Sequence, residues 1–293
     1  MYLFKRIIPL FSVLILLAFI PRRFSILNDG TKDNDITTAK TITHSFFLAG
    51  PQFTGIIGEK GEEIWNSGKA GARDGYVLPN GNILICWSDE VKEFNKNKEV
   101  IFTYKRKTEE IELSAVAKLD NGNTMIVESG KAPQIIETDN AGNIVATTPL
   151  QPESDNTHML TRMARKLKNG NYLVPHLLAF AVKEYDAKGN VVNVFKTDLA
   201  ELGGRQSDNW PFTAIRLENG NTLTTLTHGD KVVEFDKTGN IVWKVSNEDI
   251  AEKPFQDPCG AQRLPNGNTV IASYGAKPGT IKLFEISRNK KIV

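Results

Sequence analysis

The sequence is poor in the features that mark most specialised proteins. Its 293 residues hold only two cysteines, Cys86 and Cys259, too few for a disulfide scaffold, so stability has to come from a packed core. Charge of one sign is lacking too. Lys and Arg number 36 against 34 Asp and Glu, and four of the bases (Lys5, Arg6, Arg22, Arg23) stand in the first 25 residues without an acid, so the remainder is slightly acidic. That balance excludes a general nucleic-acid binder. The longest apolar run, residues 7–20, is 14 residues broken by Pro9 and Ser12, too short for a comfortable membrane span. With 40% hydrophobic and 24% charged residues, neither disorder nor a coiled coil fits, and a core is available.

The apolar run follows Lys5 and Arg6, the layout of a secretory signal. Pro21, Arg22 and Arg23 come directly after it, with no small-x-small cleavage site and no cysteine where a lipoprotein needs one. Residues 1–26 are therefore expected to be a signal peptide or an uncleaved signal anchor, and residues 27–43, polar and aperiodic, a linker. Residues 44–293 form the domain. The expected location is extracytoplasmic, periplasmic or secreted, with membrane contact only through the N-terminal segment.

Self-similarity organises the rest. An apolar segment, Asn-Gly-Asn and a second apolar segment recur as YVLPNGNILIC, AKLDNGNTMIV, RKLKNGNYLVP, IRLENGNTLTT and QRLPNGNTVIA, starting at Asn80, Asn121, Asn169, Asn219 and Asn266. Asn-Gly between β-type runs predicts a tight hairpin, both residues tolerating positive φ. A second hairpin follows in each unit, as in VKEFNKNKEVIF and VVEFDKTGNIVW. TGIIGEKGEEIW (residues 54–65) matches this second hairpin and adds a sixth copy. Four antiparallel strands every 40 to 50 residues is the period of a propeller blade, which cannot bury both faces alone. The chain is thus expected to be all-β, one six-bladed β-propeller of four-stranded antiparallel blades. Strands are labelled a to d outward from the axis. The first blade has b, c and d, with strand a either missing or made by residues 36–42. Trp65 and Trp243, ending strand d, are expected to pack between blades.

Tight a–b and c–d turns share one face of such a ring. The other face collects the long d–a connections and the b–c connections, and long loops on a rigid scaffold are where sites are built. Before strand a stand Arg73, Asp74, Glu112, Ser114, His158, Arg162, Trp210, Asp257 and Cys259, with Gln262 a little way in. After strand b come Trp87, Asp89, Glu128, His176, His228 and Tyr274. Three of the four histidines fall on this rim, whereas His44 falls on the opposite side. The turns follow a formula while the rim differs in every blade, the pattern of one asymmetric ligand on a pseudo-symmetric support. The cysteines sit in non-adjacent blades and are read as packing residues.

The motifs LPNGNTVI (264–271) and VVEFDKTGNIVW (232–243) resemble the six-bladed propellers grouped with bacterial arylsulfate sulfotransferases and, more loosely, the quinoprotein-like repeats. The resemblance covers about residues 44–293. It implies a channel histidine, His176 or His228, carrying a sulfuryl group. In composition the rim also resembles propeller-fold polysaccharide lyases, which act by β-elimination on uronic acids. That second resemblance implies His176 or His228 as base, Tyr274 as acid, and Arg162 with Arg73 as carboxylate clamp. Trp87 and Trp210 would be sugar platforms, with Asp74, Glu128, His158, Asp257 and Gln262 completing the substrate site. A manganese site of oligogalacturonate lyases resembles the set His158, His176, His228 and Gln262, which leaves a divalent metal as an alternative although no cofactor is required.

The expectation is an exported, carbohydrate-active lyase or dehydratase, monomeric, acting on a small anionic substrate, an oligosaccharide containing uronic acid. Histidine-dependent sulfuryl transfer and a non-catalytic glycan- or protein-binding propeller are the alternatives.

Overall fold

The alternation read in the sequence becomes six antiparallel sheets set around an axis, in a computed structural model that describes residues 44–293 except 278, 279 and 281. Blade one holds Phe46–Ala49, Thr54–Ile57 and Glu63–Asn66. Blade two follows as Asp74–Val77, Ile83–Cys86, Glu90–Phe94 and Val100–Lys105, and blade three as Glu112–Lys118, Thr124–Ser129, Gln134–Thr138 and Ile144–Pro149. Blade four is Arg165–Lys166, Tyr172–His176, Ala181–Tyr185 and Val191–Lys196; blade five is Pro211–Arg216, Thr222–Leu226, Lys231–Phe235 and Ile241–Ser246. Blade six is Pro258–Arg263, Thr269–Ser273 and Leu283–Ile286.

The propeller is thus as expected, with a correction to its strand count. Blades one and six have three strands each among the described residues. Blade one shows no inner strand a among these residues, and the alternative that residues 36–42 supply it lies outside them. Blade six lacks the outer strand d, and Ile292 only bridges to Ile286.

The Asn-Gly hairpins also need a correction. Only the glycine has positive φ, +84° at Gly81 and +86° to +88° at Gly122, Gly170, Gly220 and Gly267. Gly81 N–H donates to Leu78 O and Leu78 N–H to Asn82 O, a type I turn closed by a left-handed glycine. The preceding asparagine stays right-handed, so Gly is the residue the turn cannot replace.

Buried side chains explain why the units stack. Outer strands are half-buried: Val100–Lys105 hides only Phe102 and Tyr104. The strands b of blades two to six are buried throughout, and side chains of one blade meet the next, as Leu223, Val232 and Trp243 of blade five meet Ala261, Ile271 and Phe284 of blade six. Each such large side chain contributes about 1.5–3 kcal/mol by leaving water. Trp65 meets Phe94 of the next blade edge-on at 5.5 Å, the inter-blade role expected for it.

A charged clamp repeats at these seams. The Glu of each VxEF segment is buried and reaches a basic residue at the end of the next blade's strand a. The pairs are Glu93–Lys118 (3.2 Å), Glu137–Lys166, Glu184–Arg216 (2.8 Å) and Glu234–Arg263 (2.8 Å). The same carboxylates accept from the second Asn of their own turn, Asn82, Asn171, Asn221 and Asn268 to Glu93, Glu184, Glu234 and Glu285. A buried carboxylate needs such full pairing, since an uncompensated one is strongly destabilising. Glu285 closes the ring on His44, which takes the part that the lysine or arginine plays at those four seams. At the one remaining seam both partners are apolar: Ile56 occupies the Glu position and Val77 the basic one, and both pack against the same core cluster.

Candidate functional site

On the face opposite the Asn-Gly turns lies a cavity of about 310 Å³. On the side of blade one it is walled by the small residues Ala49, Gly50, Gly71 and Ala72. The other walls carry most of the polar residues expected there. Arg73 comes from the connection before blade two, and His158 from the short 3-10 helix Thr157–Met159 before blade four. Arg162 precedes strand a of blade four and Trp210 that of blade five, while Asp257 and Cys259 flank the start of blade six. His228 and Tyr274 follow strand b of blades five and six. Of the expected set, Arg73, His158, Arg162, Trp210, His228, Asp257 and Tyr274 are brought together.

Five expected residues are not. Trp87 is buried and donates from Nε1 to the carbonyls of Lys69 and Ala70, pinning the segment that supplies Gly71 and Ala72. Glu128 is buried and accepts from Tyr104 and Gln134. Asp74 is sealed in the channel against Arg165 at 2.9 Å, with burial pushing its carboxyl up against that arginine's pull. Gln262 lies in strand a of blade six, partly buried and outside the cavity wall.

The fifth is His176, only 1% exposed. Its Nε2 meets the Tyr185 hydroxyl at 2.9 Å and its Nδ1 lies 3.0 Å from Glu153, which also contacts Lys183. Burial lowers its pKa in spite of Glu153. This histidine anchors the connection carrying His158 and cannot touch a ligand. His228 is therefore the one left of the two that the resemblances pointed to. With His176 elsewhere, the metal set is divided too, and among the described residues no three His, Cys, Asp or Glu side chains are placed to hold a metal ion.

Three features give the cavity its chemistry. The first is Arg162, 4% exposed, which donates to the Thr161 carbonyl and lies 5.7 Å from the Phe212 ring. It makes no ion pair among the described residues. Burial, with Arg73 adding to it, lowers its pKa to about 10, so it stays cationic at neutral pH. A buried, unpaired guanidinium on a cavity wall is a site for an anion, and its planar fork matches a carboxylate.

The second is His228. It stacks on Trp210 with centroids 4.3 Å apart, and its Nδ1 lies 3.0 Å from Asp257. The surroundings hold Asp257 in a left-handed conformation: its φ is +51°, its N–H donates to Asp230, and a Cβ on Gly275 would come within 2.5 Å of its carboxylate. A carboxylate at Nδ1 fixes the tautomer that leaves Nε2 as a base.

The third is a second imidazole–carboxylate pair. His158 Nδ1 is 3.1 Å from Glu112, and Arg73 reaches both, Glu112 at 2.9 Å and His158 at 3.2 Å. Burial, then Arg162 and Arg73, lower the His158 pKa against Glu112. Cys259 is no nucleophile, because burial pushes its thiol up to about 12.

Apolar wall residues Met159, Leu177 and Phe212 were not legible as site residues, carrying no signal beyond that of core residues.

Residues 39–290 match the model of a family described as Mal s 1 allergenic protein-like. Among curated proteins none matches. Among solved structures, a protein of unknown function from Bacteroides caccae is similar at TM-score 0.68 and 22% identity, over 82% of this chain and 88% of that one. A catalytically inactive virginiamycin B lyase from Staphylococcus aureus, with quinupristin, is similar at 0.60 and 12%, over 83% and 76%. A streptogramin B lyase gives 0.55 and 14%, over 86% and 72%. At such identities the likeness shows the fold. The narrower arylsulfate sulfotransferase grouping finds no support among these matches.

Proposed function

This chain belongs to the Mal s 1 allergenic protein-like family, and we propose that it is an exported lyase that binds a small carboxylate at the channel mouth and eliminates the group β to it. The substrate class we assign is a uronic-acid end of an oligosaccharide, and the export rests on the apolar segment behind Lys5 and Arg6. One observation carries the reading: the unpaired, buried Arg162 shares a cavity with a histidine whose Nδ1 faces a carboxylate.

In this scheme Arg162 grips the substrate carboxylate, and Nε2 of His228 removes the proton from the adjacent carbon. Charge then develops on the carboxylate, where Arg162 and Arg73 stabilise it more strongly than in the ground state. Tyr274, about half exposed at the mouth, donates its phenolic proton to the departing oxygen. Trp210 with Phe212 offers a flat wall for the ring. The fold likeness to lyases supports the scaffold for such chemistry and says nothing of the substrate.

The test is ultraviolet absorbance of the conjugated double bond formed on uronic oligosaccharides. The expected result is a signal that His228→Ala and Arg162→Ala abolish. Retention of the oligosaccharide without that signal would make the propeller a binding module, and phenol release from an aryl sulfate, lost in His228→Ala, would make it a sulfuryl transferase.

A further inference from the structure

Elimination needs one base, yet the cavity holds two imidazoles, each with Nδ1 beside a carboxylate. His228 has Nδ1 at 3.0 Å from Asp257, and His158 has Nδ1 at 3.1 Å from Glu112, with the Arg73 guanidinium 3.2 Å from the same nitrogen. Neither Nε2 makes a hydrogen bond to a described residue. The two come from different walls, His228 from blade five and His158 from the connection between blades three and four. Arg162 lines the same cavity as both, and its charge is felt by His158.

Resting on the roles of Arg162 and His228 given above, we propose that the cavity also inverts the carbon it deprotonates, His228 and His158 acting on opposite faces of a carboxylate substrate as the two acid–base groups of an epimerase.

Neutral His228 takes the proton through Nε2, and the C–H electron pair passes into the enolate of the carboxylate held by Arg162. Protonated His158 then gives its Nε2 proton to the other face, the enolate electrons forming the new C–H bond. Nothing is oxidised or reduced, and exchange with water returns each histidine to its starting state. Glu112 stabilises the His158 imidazolium as Asp257 does that of His228 once it has taken the proton. The same enolate either expels its β-substituent or is reprotonated, so one set of residues serves elimination and inversion.

The experiment uses the full chain with methyl D-glucuronoside and its C5 epimer, methyl L-iduronoside, each in D2O, followed by NMR. The expected result is deuterium at C5 and appearance of the opposite epimer from either starting compound. His158→Gln and His228→Gln, each checked by melting temperature, should slow inversion by about 10²-fold or more. Each should keep C5 proton washout from one epimer only, and a different one. Unsaturated product without any inverted, deuterated sugar overturns the proposal and leaves the lyase reading standing. No washout and no unsaturated product from either epimer overturns both. Equal loss of washout from both epimers in each folded variant also overturns it, since it denotes a single base.

Discussion

Glu285 and His44 meet at 2.7 Å across the seam between the last blade and the first, 241 residues apart in sequence. At four other seams of the ring a lysine or arginine fills that place. With His44 38% exposed, the pair stands between an exposed ion pair and a buried one. His44→Ala should cost about 1–2 kcal/mol, a fall of roughly 2–8 °C in melting temperature for a domain of this size. His44→Arg should restore it. Equal melting of all three proteins would show that this seam carries no load.

Acid should loosen the same seams. Burial pushes Glu184, Glu234 and Glu285 up, but amide donors from the Asn-Gly-Asn turns, together with Arg216, with Arg288 and Arg263, and with His44, outweigh it and hold all three below the ordinary glutamate value. A depressed carboxyl adds stability that is complete above the unfolded value of about 4.3 and is lost as pH falls through the folded one. Denaturant midpoints should therefore decline below about pH 5, and Glu234→Gln should flatten that decline.

Arg162 trades stability for function. Arg162→Met removes a buried, unpaired cation, so melting should hold or rise. Carboxylate affinity should fall by about 2–3 kcal/mol, roughly 30- to 150-fold by calorimetry. A destabilised variant with intact affinity would reassign this arginine to the scaffold.

Asp257→Asn should keep the cavity and its affinity but lower turnover by about 10²–10⁴-fold, because the amide no longer fixes the His228 tautomer. Gly275→Ala should do the same by displacing Asp257, whose carboxylate lies 2.5 Å from the new Cβ position. His176→Gln should behave oppositely, losing stability while ligand affinity persists.

Inversion that draws its proton from His158 should be confined to acid conditions. Burial, Arg162 and Arg73 lower this imidazole's pKa from 6.5, Glu112 opposing them. The protonated donor therefore disappears as pH rises through a value below 6.5, and the NMR inversion rate should decline there. Arg73→Gln should move that decline to higher pH.

The propeller was legible because Asn-Gly-Asn turns and two-residue alternation are local signals. The site was legible only in part, for a reason of register. Trp87, Glu128 and His176 hold one equivalent position, the fifth after the last Asn of their turns, and all three are buried. Leu226 and Ser273 hold it in blades five and six and are buried as well. The sixth position points the other way, and Leu177, Thr227 and Tyr274 there line the cavity. In a strand one residue of offset exchanges the two faces, so chemical type alone placed those three residues on the wrong one.

His44 marks one face of the ring. The described chain enters beside Glu285, which also accepts from Asn266 and Asn268 of the last turn. The described chain thus begins on the turn side of the ring, and the mouth with Arg162 opens on the opposite face.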